Sequence, residues 1–99
     1  MTTKTYGTKE MVRDIGSLTF ANAIEAHRKC EEVSQKDFAK MLGISAQSLC
    51  DIEKGRRIPS PRRAAKIAKQ IKEPEIFWIR LALQDMLTQE QLNYTVSVV

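Results

Sequence analysis

Histidine and cysteine are scarce: His27 is the lone histidine, and Cys30 and Cys50 are the two cysteines in 99 residues. No Cys-x-x-Cys pair or histidine cluster offers metal-ligand spacing. Without an export signal, the two thiols are expected as small buried apolar side chains, not as a disulfide. No metal or other cofactor is expected. A glycine-rich phosphate loop and a nucleophile elbow are also missing, and His27 falls within a helical pattern, so the chain is not expected to be an enzyme. No apolar run approaches bilayer length, and Met1-Thr2-Thr3-Lys4 lacks an apolar signal core, so a cytoplasmic location is expected. Repeats and low-complexity tracts are absent. What remains is 42% hydrophobic and 28% charged, which suits one folded domain and argues against wholesale disorder.

Charge is unevenly placed. The formal net charge is +4, yet Ser34–Lys72 holds ten Lys or Arg against three Asp or Glu. The rest of the chain holds six basic against nine acidic residues. A polyanion would be drawn to the middle of the chain and not to its ends.

Hydroxyl caps and glycine stops divide the chain into helices. A short helix over Thr8–Ile15 is expected to stop at Gly16. Thr19 caps a helix from Phe20 to about Val33, with Phe20, Ala23, Ile24, His27 and Cys30 on one side. Ser34 caps Gln35–Leu42, which Gly43 ends in the left-handed conformation. Ser45 caps Ala46–Lys54, ended by Gly55. Ser60 caps a helix reaching about Ile71, with Pro61 at its first position, where the missing N–H costs nothing. Pro74 opens another, reaching Leu87 or slightly beyond. Leu92, Tyr94, Val96 and Val98 then alternate with Asn93, Thr95, Ser97 and Val99, the period of a half-buried strand.

Gln35–Leu42 and Ala46–Lys54 are joined only by Gly43-Ile44-Ser45, the connection of a helix-turn-helix. Phe38, Ala39, Leu42, Ile44, Leu49 and Ile52 face inward in that arrangement. Gln47, Ser48 and Asp51 stay on the outer face of the second helix. Such a helix fits a major groove about 12 Å wide, with its N-terminal side chains on base edges.

Ser34-Gln35-Lys36-Asp37-Phe38-Ala39-Lys40-Met41-Leu42-Gly43-Ile44-Ser45, followed by Leu49-Cys50-Asp51-Ile52-Glu53-Lys54-Gly55-Arg56-Arg57-Ile58-Pro59-Ser60, resembles the Xre family of Cro/C1-type repressors. The resemblance covers roughly residues 20–71. It implies an all-α, lambda-repressor-like domain of four to five helices, here followed by a C-terminal β-strand. It also implies residue roles. Ala46, Gln47, Ser48 and Asp51 would read bases, Asp51 by accepting from a cytosine amino group or by disfavouring wrong sequences. Gln35, Lys54, Arg56 and Arg57 would bind phosphates, adding affinity and salt dependence more than sequence choice. Arg28 and Glu53 match a family ion pair that ties the first helix to the second motif helix. Ala46 departs from the glutamine common at the first base-facing position: it can touch a thymine methyl but cannot make a bidentate contact to adenine. Arg62, Arg63, Lys66 and Lys69 lie on a helix that either touches DNA or is simply solvated.

Four segments follow: 1–18 as an N-terminal segment, 19–72 as the DNA-binding domain, 73–91 as a C-terminal helix, and 92–99 as a strand. The C-terminal helix is apolar around nearly its whole circumference, more than a helix on the outside of a small domain needs. Either core packing takes all of it, or one face meets another chain or the N-terminal segment. A lone strand leaves unpaired backbone groups, to be met by its own copy or by another protein's sheet edge. Trp78, Leu81, Tyr94, Val96 and Val98 are therefore candidate dimer or partner contacts. A homodimer would match a palindromic duplex operator. The stretch from Leu18 through Asp85 to Val96 also resembles short Xre-type antitoxins paired with toxins of the RelE/ParE superfamily. That resemblance implies an autoregulating repressor that also binds a toxin. The alternatives are an interaction module that chiefly neutralises its partner, or a stand-alone phage-type regulator.

Overall fold

The computed structural model describes residues 18–97. The helix expected over Thr8–Ile15 lies outside the described residues. Among the described residues, four of the five helices begin on a hydroxyl that satisfies an orphan first-turn N–H. Thr19 Oγ1 accepts from Asn22 N at 3.0 Å and opens α1, Phe20–Cys30. Ser34 Oγ accepts from Asp37 N at 3.1 Å and opens α2, Gln35–Leu42. Ser45 Oγ accepts from Ser48 N at 3.0 Å at the head of α3, Ala46–Glu53. Ser60 Oγ accepts from Arg63 N at 3.2 Å at the head of α4, Pro61–Gln70. Helix α5, Glu75–Gln89, follows Pro74 and has no side-chain cap.

All five helices end alike. A residue in the left-handed region is followed by an amide reaching back five residues: Val33 to Arg28, Ile44 to Ala39, Arg56 to Asp51, Glu73 to Ala68 and Leu92 to Leu87. Glycine supplies the left-handed residue at Gly43 and Gly55, with φ of 73° and 76°. Glu32, Lys72 and Gln91 do so elsewhere, at φ near 60°. A side chain there costs roughly 1–2 kcal/mol, which the closing hydrogen bonds offset.

The apolar faces meet in one core. Phe20, Ile24, Phe38, Leu49, Ile52 and Leu81 are its largest fully enclosed side chains. Helix α5 packs along α4 on one side and touches α1 on another. Trp78, Leu81 and Ala82 are enclosed, Phe77, Ile79, Leu83, Met86 and Leu87 are half-buried, and Ile76 is exposed. Trp78 and Leu81 are 3% and 1% exposed, which corrects their expected role as dimer or partner contacts. Trp78 instead stands edge-on to Phe20 with ring centroids 5.3 Å apart. Asp85 Oδ2 accepts from Phe20 N at 2.9 Å, so α5 also caps the start of α1.

Two further expectations change. Residues 92–97 form no strand; Gln84 holds them against α5 by donating from Nε2 to Tyr94 O at 2.9 Å and accepting from Val96 N at 2.8 Å. A side-chain amide thus replaces the neighbouring strand that alternation alone demanded. Val96 is half-buried, Tyr94 is exposed, and Val98 lies outside the described residues. Cys30 is exposed and Cys50 half-buried, both free thiols, so neither is the fully enclosed apolar residue expected. Cys30 ends α1, where the apolar face has already left the core.

Candidate nucleic-acid interface

The turn between α2 and α3 is fixed by three features. Gly43 takes the left-handed conformation, Ile44 N–H returns to Ala39 O at 3.0 Å, and the half-buried Ile44 side chain packs on the core. Phe38, Ala39, Leu42, Leu49 and Ile52 are buried behind it. Because those residues occupy the inner faces, the outer face of α3 is left polar.

Ala46 and Gln47 are exposed at the start of α3, while Ser48 and Asp51 are half-buried on the same helix. None of the four is enclosed by other side chains. The Ser45 hydroxyl donates to Ser48 Oγ at 3.0 Å, tying the cap to one of the expected base-reading groups. One turn later, Gln47 Nε2 donates to Asp51 Oδ1 at 3.0 Å. After the helix, Gly55 turns the chain so that Arg56 and Arg57 N–H both reach Asp51 O, at 2.8 and 3.2 Å. The Arg56 guanidinium then lies beside the Asp51 carboxylate, Nη2 to Oδ1 at 2.9 Å. Hydrogen bonds from Arg56 and then Gln47 hold the Asp51 carboxyl below its ordinary pKa, and the same pair raises that of Arg56. Arg56, expected on a phosphate, is thus paired within the chain.

Arg28 and Glu53 form the expected pair, with Nε–Oε2 at 2.8 Å and Nη2–Oε1 at 3.1 Å. Arg28 Nη1 also donates to Val33 O at 2.9 Å, so one side chain joins α1, its exit loop and α3. The hydrogen bond to Glu53 raises the Arg28 pKa further. Gln35 joins this cluster too, Nε2 donating to Glu53 Oε1 at 2.8 Å. One N–H of the amide thus braces α2 to α3, a structural role beside the expected one on DNA. The second side-chain N–H and the main-chain N–H, at the first position of α2, remain for a phosphate. Glu53 has two oxygens and draws in two donor groups, a requirement that the pairwise reading of Arg28 and Glu53 left out.

Lys54 and Arg57 are exposed and make no ion pair among the described residues. Arg62, Arg63 and Lys66 are exposed around a shallow hollow of about 220 Å³ beside Ser60. Lys69 sits 3.9 Å from Glu75, a loose exposed pair. A larger cleft of about 430 Å³ lies elsewhere, where the start of α1, the end of α3 and the end of α5 meet. Among the described residues no helix is long and apolar enough to cross a membrane, and no three His, Cys, Asp or Glu side chains gather as metal ligands.

Two short capped helices, a left-handed glycine bend and a polar outer face on the second helix define a helix-turn-helix domain. The Helix-turn-helix family matches residues 24–78, more than half of the sequence, and the chain belongs to that family. An uncharacterized HTH-type transcriptional regulator of Methanocaldococcus jannaschii is 44% identical over 48 residues, covering 48% of this chain and 73% of that protein. The uncharacterized HTH-type transcriptional regulator YazB of Bacillus subtilis is 51% identical over 37 residues, 37% of this chain and 54% of that protein. The chain thus spans only about half of the second relative. No solved structure matches at a significant level.

Proposed function

We propose that this chain is a cytoplasmic, sequence-specific repressor that lays α3 in the major groove of a duplex operator. The observation that carries the reading is the accessible Gln47 and Ser48 pair at the N-terminal end of α3, on a helix braced from behind by Arg28 and Glu53. Amide and hydroxyl groups there can meet base edges, while Lys54 and Arg57 meet phosphates. A homodimer on a palindromic operator supplies two such helices. With Trp78 and Leu81 inside the core, Met41, Ile76, Leu92 and Tyr94 are the large apolar side chains left exposed among the described residues. Of these, Ile76, Leu92 and Tyr94, at 55%, 46% and 71%, lie on or after α5, open to contact between copies.

The finer reading is an antitoxin that represses its own operon and holds a RelE/ParE-like toxin. The resemblance of Leu18–Val96 to short Xre-type antitoxins supports it. That resemblance carries no toxin-contact residues, and the N-terminal and C-terminal segments, which the DNA-binding core does not need, are the regions offered to the toxin. The test is gel-shift binding to the chain's own upstream DNA over a range of salt, with and without the product of a neighbouring short reading frame. Specific binding that falls steeply with salt supports the repressor. Equal affinity for upstream and unrelated DNA overturns it, and a neighbouring product that never associates overturns the antitoxin reading alone.

A further inference from the structure

A carboxylate on a DNA-facing helix ought to repel phosphates, and Asp51 sits on the same face as Gln47. Its surroundings give it another task. Three donor atoms converge on the single oxygen Oδ1: Gln47 Nε2 at 3.0 Å, Arg56 Nε at 3.1 Å and Arg56 Nη2 at 2.9 Å. Arg56 Nη2 also lies 3.8 Å from Cys50 Sγ, fixing the guanidinium along the helix edge. The Asp51 side chain is 25% exposed and that of Arg56 54% exposed, so the cluster lies at the surface beside the groove-facing residues.

The arrangement has two consequences. The negative charge is matched by Arg56 at contact distance, which removes much of the repulsion that a bare carboxylate would bring to DNA. The Gln47 amide, with two acceptor lone pairs and two N–H donors, gives one donor to Asp51. Its oxygen and second N–H remain for a base, now on a side chain with restricted torsions. An amide so held suits the N6 donor and N7 acceptor of adenine. Resting on the DNA-binding reading above, we infer that Asp51 is a positioning and specificity-determining residue: it orients Gln47 toward adenine and withdraws Arg56 from phosphate binding.

The test separates the two halves. Wild type, Asp51→Asn, Asp51→Ala, Arg56→Ala and Arg57→Ala would each be tested on a pool of randomised duplexes, and salt dependence measured on one fixed random-sequence duplex. Asn keeps an oxygen for Gln47 but not the charge that holds Arg56. Asp51→Ala is expected to reduce adenine preference at one operator position by about tenfold, within the range for one bidentate contact. Asp51→Asn is expected to retain that preference. Both should steepen the salt slope by about one, because Arg56 is freed to displace a counterion. Arg57→Ala should flatten the slope by about one, and Arg56→Ala by much less. Thermal unfolding confirms that each variant is folded. If Asp51→Ala leaves base preference unchanged, or Arg56→Ala flattens the slope as much as Arg57→Ala, the inference is wrong. If wild type binds no duplex, the DNA-binding reading fails first and the inference falls with it. A wild type that binds and selects sequence, beside an Asp51→Ala that does the same, overturns the inference alone.

Discussion

Arg28 on α1 grips Glu53, the last residue of α3, through two side-by-side hydrogen bonds of 2.8 and 3.1 Å, and the Glu53 side chain is only 1% exposed. The pair joins residues 25 apart in sequence, ties α1 to α3 and sets where α3 stands. Its partners Gln35 and Val33 complete the donors and acceptors around it.

Removing one member leaves the other without its counter-charge in a largely dry place. Glu53→Ala should destabilise the fold by about 3 kcal/mol. Arg28→Met combined with Glu53→Leu should restore much of that, because two apolar side chains do not need each other's charge. Urea unfolding of the two variants checks the order. A Glu53→Ala protein as stable as wild type would show that the pair is not what holds α3.

Leu81 distinguishes core from interface. At 1% exposure within one chain, Leu81→Ala should cost about 2–5 kcal/mol whatever the protein concentration. A contact between copies would instead make the loss depend on concentration. Unfolding midpoints across a hundredfold dilution series decide between them.

The sequence shows the helix starts and the motif clearly because their causes are local. Thr19, Ser34, Ser45 and Ser60 bond to amides three residues on, as their spacing implies, and Gly43 needs no neighbour to turn left-handed. Helix ends at Glu32, Lys72 and Gln91 carry no such mark, since those residues turn left-handed only because the closing amides hold them there. Helix α5 misled for a different reason. Its periodicity shows how much surface is apolar but not which part the neighbours cover: α4 and α1 enclose Trp78, Leu81 and Ala82, while Ile76 stays exposed and Phe77, Ile79 and Leu83 are half-buried. The alternation in 92–97 is genuine, yet pairing is a property of two partners, and the partner here is the Gln84 side chain. At the site, Gln47 and Asp51 are one turn apart and their contact was within reach of sequence spacing. Arg56 was not, because it joins them only after the chain reverses at Gly55.

Asp85 makes stability depend on pH. Burial raises its pKa, and the hydrogen bond from Phe20 N only partly opposes that. The folded protein therefore holds the proton more tightly than the unfolded chain does. The contribution favours folding below the ordinary aspartate range near about 3.9 and is lost as pH climbs through the raised value. Asp85→Asn, neutral but still able to accept from Phe20 N, should raise the unfolding midpoint at pH 7. Its advantage should shrink as pH falls below that ordinary range. Asp85→Ala should lower stability by about 1 kcal/mol at low pH, because Phe20 N loses its acceptor, and by less at pH 7, where burial already penalises the wild-type carboxylate. Thermal melts at several pH values read all three, and an Asp85→Asn gain that is the same at every pH would contradict the sign argued here.

Gln47 and Ser48 face outward, so changing them should separate recognition from folding. Neither contributes to the core, and the hydrogen bonds they make are exposed. Gln47→Ala with Ser48→Ala should leave the unfolding free energy within about 0.5 kcal/mol of wild type, as for surface changes generally. Operator affinity should fall by about 1–3 kcal/mol per lost base contact, and affinity for unrelated duplex should stay nearly unchanged. Arg57→Ala should do the opposite, weakening both duplexes together and flattening the salt dependence of each. The comparison rests on a difference in what the groups touch: base edges differ between sequences, whereas phosphates do not. If the Gln47 and Ser48 double variant weakened both duplexes equally, α3 would be holding the backbone, and the reading residues would have to lie elsewhere on the domain.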